Sequence, residues 1–120
     1  MEIVKVIIAG SRTFNNYELL EKILQEENLI IDEVVCGCAK GADDHGQEWA
    51  KRNGISVKYF DAEWEKYGRA AGIIRNHEMG DYADYLIAFW DGESRGTKDM
   101  IDYMQQLGKH GKVVLFKNEQ

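Results

Sequence analysis

Apolar residues fall along this chain in two alternating patterns, short unbroken runs and longer stretches at helical spacing. Residues 4–9 are apolar except for Lys5, which predicts a central parallel strand buried on both faces. The run gives way to Gly10, Ser11 and Arg12. Asn15 or Asn16 then offers a cap for a helix that sets Leu20, Ile23 and Leu24 on one side. Residues 33–36 predict a second strand ending at Gly37, and the turn CAKG leads into a helix over about 42–53. That helix carries Ala42, His45, Gly46, Trp49 and Ala50 on one side, and Gly54 is its natural stop. Residues 56–60 alternate weakly as a third strand. The charged segment 61–67, holding Trp64 and Tyr67, reads as a loop or a short helix. A helix over about 68–83 precedes a strand at 85–90. The loop 91–95 opens a last helix whose Thr97, Met100, Ile101, Met104 and Leu107 keep an apolar stripe until Gly108. Residues 112–116 close the pattern, and the polar tail KNEQ is expected to fray.

Five strands alternating with four helices predict a doubly wound, three-layer α/β domain with a five-stranded parallel sheet. Right-handed crossovers and a central first strand give the order 3-2-1-4-5, with residues 1–120 as one domain.

Sheets of this kind bind ligands beyond the carboxyl ends of the strands, where the strand order reverses. Three loops converge there: Gly10-Ser11-Arg12, the segment from Gly37 through Lys40 and Gly41 to Asp43, and the segment from Asp91 and Gly92 to Thr97. Each sets glycine beside Ser, Thr, Lys or Arg, as close backbone approach to a phosphate requires. Arg12, Lys40, Arg69, Arg75 and Arg95 can converge on one anion. Taken singly, each glycine is turn punctuation and each cation solvated surface; three such loops at corresponding strand ends favour a pocket. No Walker loop or GxGxxG fingerprint is present, so ATP hydrolysis and ordinary dinucleotide redox binding lack their motif.

The net charge of −6 argues against a protein that grips duplex nucleic acid through its phosphates, though not against a small anion in a locally basic pocket. No apolar run approaches the ~18 residues of a membrane span. The opening run MEIVKVIIAG lacks the features of a signal peptide, so a cytoplasmic location is expected. Cys36 and Cys38 are too near for a sound disulfide, and His45 completes no paired metal-ligand spacing. They read as reduced thiols, and neither a metal nor a cofactor is expected.

GSRTF after the first strand, GCAKGAD after the second, AEWEKYGRAAGIIRNHEM and then ADYLIAFWDGESRGT resemble the small Rossmann-like proteins of the SLOG superfamily, nearest to its YspA-like branch. The resemblance runs over essentially the whole chain. It implies a domain that senses or processes a nucleotide-like ligand, often in bacterial prophage or stress systems. The superfamily also holds the lonely-guy phosphoribohydrolases, which release a cytokinin base from its nucleoside monophosphate. Their signature pairs Arg with Lys, has a Met soon after, and ends in a PGGxGT loop followed by Glu. Arg75, Met79, Ala83-Asp84 and Gly96-Thr97 echo it. Asn76 stands in place of the Lys, the loop WDGESRGT is longer and lacks the double glycine, and Met100 occupies the position of the catalytic Glu.

Two functions from different classes follow. The first is a binding module for ADP-ribose, an NAD fragment or a nucleoside monophosphate. Ser11, Arg12, Gly37, Lys40, Gly41 and Arg69 on one side, and Arg75, Asn76, Ser94, Arg95, Gly96 and Thr97 on the other, would contact phosphate and ribose. The second is an N-glycosidic phosphoribohydrolase with Arg75 as catalytic phosphate anchor, and Asp43, Asp91, Glu93 or Asp99 in place of the missing Glu. Each of these carboxylates also has a plain reading, as a helix first-turn charge or a loop solubiliser. Single-stranded DNA binding is disfavoured by the charge and by the lack of an appended domain. His45 and His77 read as packing or surface groups and His110 as exposed. Trp90 either stacks on a base or belongs to the core. By analogy a homodimer is expected, with Trp49 or the region around Trp64 as contact surface.

Overall fold

A computed structural model describes residues 3–37 and 41–117. Five strands alternate with helices in the order β1 (Ile3–Gly10), α1 (Tyr17–Glu27), β2 (Ile30–Cys36), α2 (Ala42–Arg52), β3 (Ser56–Tyr59), α3 (Trp64–Tyr67), α4 (Ala71–Tyr82), β4 (Tyr85–Trp90), α5 (Arg95–Gln106) and β5 (His110–Leu115). All strand pairs are parallel, and the sheet order is β3-β2-β1-β4-β5. The fold is therefore the doubly wound one that the alternation predicts.

The unbroken run in β1 has its reason in this topology. Strand β1 lies between β2 and β4 with helices over both faces, so successive side chains all enter a core. Val6 and Ile8 join Val34, Ile87 and Phe89 beneath α1 and α2. Ile7 joins Val35, Leu86 and Ala88 beneath α4 and α5. Burying each such side chain stabilises the fold by roughly 1.5–3 kcal/mol before entropy is counted. Lys5, the polar exception, sits near the strand's start with its ammonium 4.5 Å from the centre of the Tyr82 ring, a cation–π contact.

Several boundaries differ from the periodicity. Strand β2 begins at Ile30, because its first residues pair with β1 at the less buried end of the sheet. The segment between β3 and β4 is divided: α3 ends at Gly68, whose φ of +56° breaks the helix, and a 3₁₀ turn (Gly68–Ala70) leads into α4. Asn16 caps α1, its side chain accepting from the Leu19 N–H at 3.1 Å. Leu107 is exposed, since it stands at the C-cap of α5 beyond the last turn that faces the core. Trp49 is 8% exposed and packs in the core between sheet and helices, whereas Trp64 is 56% exposed. Of the two suggested contact surfaces, Trp49 is therefore taken up by folding. Cys38, Ala39 and Lys40, and the end of the tail from Asn118, lie outside the described residues. No helix among the described residues is long and apolar enough to cross a membrane.

Candidate functional site

The loops after β1, β2 and β4 meet where the strand order reverses, and Ser11 ties two of them together. Its N–H donates to the Phe89 carbonyl at 2.9 Å, its carbonyl accepts from Phe14 N–H at 3.1 Å, and its hydroxyl oxygen accepts from Asp91 N–H at 3.1 Å. Gly10 makes the close approach of β1 to β4 possible, because a Cβ there would lie 2.2 Å from the Phe89 carbonyl oxygen. Gly41 closes the loop after β2 onto the first. Its φ is +80°, and a Cβ would stand 2.4 Å from the Ser11 carbonyl oxygen.

The loop after β4 is set by Asp91. One carboxylate oxygen accepts from Glu93 N–H at 2.9 Å and Ser94 N–H at 2.8 Å, a turn that delivers the chain into α5. The Trp90 indole N–H donates to the Ser94 carbonyl at 3.0 Å, fixing the same turn from beneath. At the helix start the Ser94 and Thr97 hydroxyls lie 3.1 Å apart, and no side chain caps the first N–H groups of α5. An uncapped helix N-terminus presents backbone donors and the positive end of the helix dipole.

Helix α4 supplies the facing wall. Arg75 donates from Nη1 to the Gly37 carbonyl and from Nε to the Asn76 side-chain oxygen at 3.2 Å, with further guanidinium donors remaining. A Cβ at Gly37 would stand 2.9 Å from Arg75 Nη1, so a larger residue there would displace the guanidinium. Asn76 Nδ2 donates to the Gly96 carbonyl at 3.1 Å and reaches Asp99 at 3.4 Å. The other Asp99 oxygen lies 3.3 Å from His77 Nε2, and the His77 ring stacks on Tyr103 with centroids 3.9 Å apart. In this chain, then, the Asn in the Arg-Asn pair couples α4 to the start of α5.

These walls enclose a cavity of about 290 Å³. Gly10 and Arg12 enter it from the first loop, Gly37 and Asp43 from the second, and Ser94, Gly96 and Thr97 from the third. Arg75 and Asn76 come from α4, joined by Ala9, Met79 and Met100 as an apolar floor. Ser11 is 2% exposed and sits behind the wall, and Asp91 is held in its turn. Gly41, Arg69, Gly92 and Arg95 also stand off this cavity, and Lys40 lies outside the described residues.

Among the described residues, Arg12 and Arg75 are the cations on the wall and Asp43 the carboxylate. Asp43 is 6% exposed, in the first turn of α2. Asp99 faces Asn76 and His77, Glu93 is exposed, and Met100 is buried in the floor. Two guanidinium groups and an uncapped helix start suit an anion such as a phosphate monoester or diester. Sequence reasoning singled out the three loops from their glycines and cations. It passed over Ala9 because a small apolar residue in a strand run carries no chemical signal.

A sequence model of the family described as YspA, cpYpsA-related SLOG family matches residues 4–67, from β1 through α3. Gene 61 protein of Mycobacterium phage D29 is 34% identical to the chain, over 87% of this chain and 90% of its own length.

Proposed function

The chain belongs to the YspA, cpYpsA-related SLOG family, and on that premise we propose that it binds a nucleotide or nucleotide-derived ligand beyond the carboxyl ends of β1, β2 and β4, as a sensor or processing domain. ADP-ribose, an NAD fragment and a nucleoside monophosphate share the chemistry required. The phosphate sits at the N-terminus of α5, taking N–H bonds at Gly96 and Thr97, with Arg12 and Arg75 on either side. Arg69 and Arg95, off the cavity wall, add positive potential, and Asp43 or the Asn76 amide meets a ribose hydroxyl. The observation that carries this reading is the coincidence, in one cavity, of two guanidinium groups with an uncapped helix start.

A second reading rests on Asp43, a carboxylate on the same wall. Placed near the anomeric carbon of a bound nucleoside monophosphate, it would stabilise the oxocarbenium ion or activate the water that replaces the base, releasing free base and ribose phosphate.

The test is to mix the protein with nucleoside monophosphates, NAD and ADP-ribose, and to read both thermal shift and products by chromatography. A stabilising shift with the ligand recovered intact is expected of a binding module. Release of free base, lost in Arg75→Ala and Asp43→Asn, would establish the hydrolase instead. No shift and no product with any of these compounds would contradict both.

A further inference from the structure

Strand β5 closes one edge of the sheet, and its outer side pairs with no strand among the described residues. The Phe116 N–H donates to the Trp90 carbonyl at 3.0 Å, and Val114 stands in register with Phe89. Backbone groups along a strand point alternately to its two sides, so Lys112, Val114 and Phe116 bond to β4. Gly111, Val113 and Leu115 turn their N–H and carbonyl groups outward. The opposite edge is blunted by its length, for β3 has only the four residues Ser56–Tyr59. The six residues of β5 leave a row long enough to template another strand.

The two faces beside this edge differ in chemistry. Val113 and Leu115 lie on the α5 side, join no core cluster, and are 41% and 69% exposed. Val114 and Phe116 lie on the other side, packed against the core beneath α1 and α2, and Lys112 shares their face by alternation. There the strand runs out into a hollow of about 550 Å³, with Phe116 and Lys117 on one wall and Asn16 and Leu19 on the other. An added strand therefore meets apolar side chains on one face, and two ammonium groups with a half-polar hollow on the other.

Charge decides the occupant. Residues 107–117 hold Lys109, His110, Lys112 and Lys117 and no carboxylate, in a chain whose net charge is −6. The Lys109 ammonium is taken up by the carbonyls of Gly80, Asp81 and Ala83, which leaves Lys112, Lys117 and His110 along the edge. A second copy of β5 would bring like charges face to face, a destabilising arrangement between paired strands. Carboxylates on the added strand reverse that sign.

We infer that β5 takes up an extended segment of a protein partner in which apolar residues alternate with Asp or Glu. The segment's backbone completes the row at Gly111, Val113 and Leu115. Its apolar side chains cover Val113 and Leu115, and its carboxylates meet Lys112 and Lys117. None of these residues lines the cavity beside Arg12 and Arg75, so the edge acts independently of the nucleotide site.

The probe is a synthetic peptide of about ten residues alternating valine with glutamate, compared with one carrying lysine in place of glutamate. Binding to the whole protein is read by fluorescence anisotropy and by backbone amide resonances. The glutamate peptide should bind about tenfold more tightly than the lysine peptide, and weaken as salt is raised. The N–H groups of Gly111, Val113 and Leu115 should become slow to exchange, while Lys112 and Val114, already bonded to β4, keep their rates. Val113→Pro removes one outward donor and no internal bond, so it should keep the circular dichroism of the wild type and lose about tenfold in peptide affinity. Lys112→Glu combined with Lys117→Glu should reverse the preference between the two peptides; this reversal and the amide pattern decide the matter even if the proline variant is unstable. Equal binding of the two peptides, no binding of either, or protection at residues other than these three would overturn the proposal. So would a dimer of the protein alone that Val113→Pro dissociates, since the edge would then belong to a second copy.

Discussion

Hollows lie at both ends of the sheet, and the one at the amino ends has no lysine or arginine among its described lining residues. At the amino ends of the strands, Val4, Leu29, Ile30 and Tyr85 line about 370 Å³, against about 290 Å³ at the carboxyl ends. What separates them is how the chain treats its own backbone. At the amino ends, the Lys109 ammonium donates to the carbonyls of Gly80, Asp81 and Ala83 at 2.6, 3.1 and 2.7 Å, closing the C-terminus of α4. The Tyr85 hydroxyl donates to Glu27, and the Lys5 N–H to Asp84 at 3.0 Å. At the carboxyl ends, no side chain among the described residues caps α2 or α5. A helix end supplied with its own cap is structure; one left open beside two arginines is available to a ligand.

The largest effect should come from removing the close approach on which the open end is built. Gly10→Ala places a Cβ against the Phe89 carbonyl, and should cost about 3 kcal/mol in chemical denaturation together with all ligand binding. Next, Arg75→Ala should weaken nucleoside monophosphate binding by about a hundredfold in calorimetry, the worth of a charged hydrogen-bonding pair. Lys109→Met tests the opposite end. It strands three carbonyls, and should lower stability by about 1–3 kcal/mol while leaving ligand affinity as it was. A change in affinity there would erase the distinction between the two ends.

The smallest effect is one of pH. Burial, and then the hydrogen bond to Glu27 and its charge, raise the Tyr85 phenol from 10.0 to about 12. The folded chain holds that proton more tightly than the unfolded one, so this contribution is whole below pH 10.0 and is lost as pH rises towards 12. Urea denaturation at stepped alkaline pH should show this decline in the wild type and a shallower one in Tyr85→Phe.

Much of this division was legible in the sequence, for physical reasons. The unbroken run of β1 requires helices on both faces, which fixes its central place and so the point of reversal. The glycines and cations after three strands then point to one end of the sheet. Less visible was the part played by Ser11, a hydroxyl beside Arg12 that reads as a ligand contact, whereas its three hydrogen bonds hold the loops together from a buried position. Asp91 had a recognisable signal in D-G-E-S, where Asp caps its own turn two and three residues on. Phe14 lies in a loop and follows no period, so its burial under Phe89 and Phe116 depends on tertiary packing alone. Trp49 was ambiguous because α2 is amphipathic against both the sheet and α1, and only the neighbouring helix decides which side is closed.

The most direct test of the central claim is to follow backbone amide resonances while AMP is added. The Gly96 and Thr97 N–H signals are expected to move downfield as they take up the phosphate, with Lys109, His110 and Tyr85 unmoved. Saturable shifts at the amino-end hollow, with Gly96 and Thr97 unchanged, would contradict it.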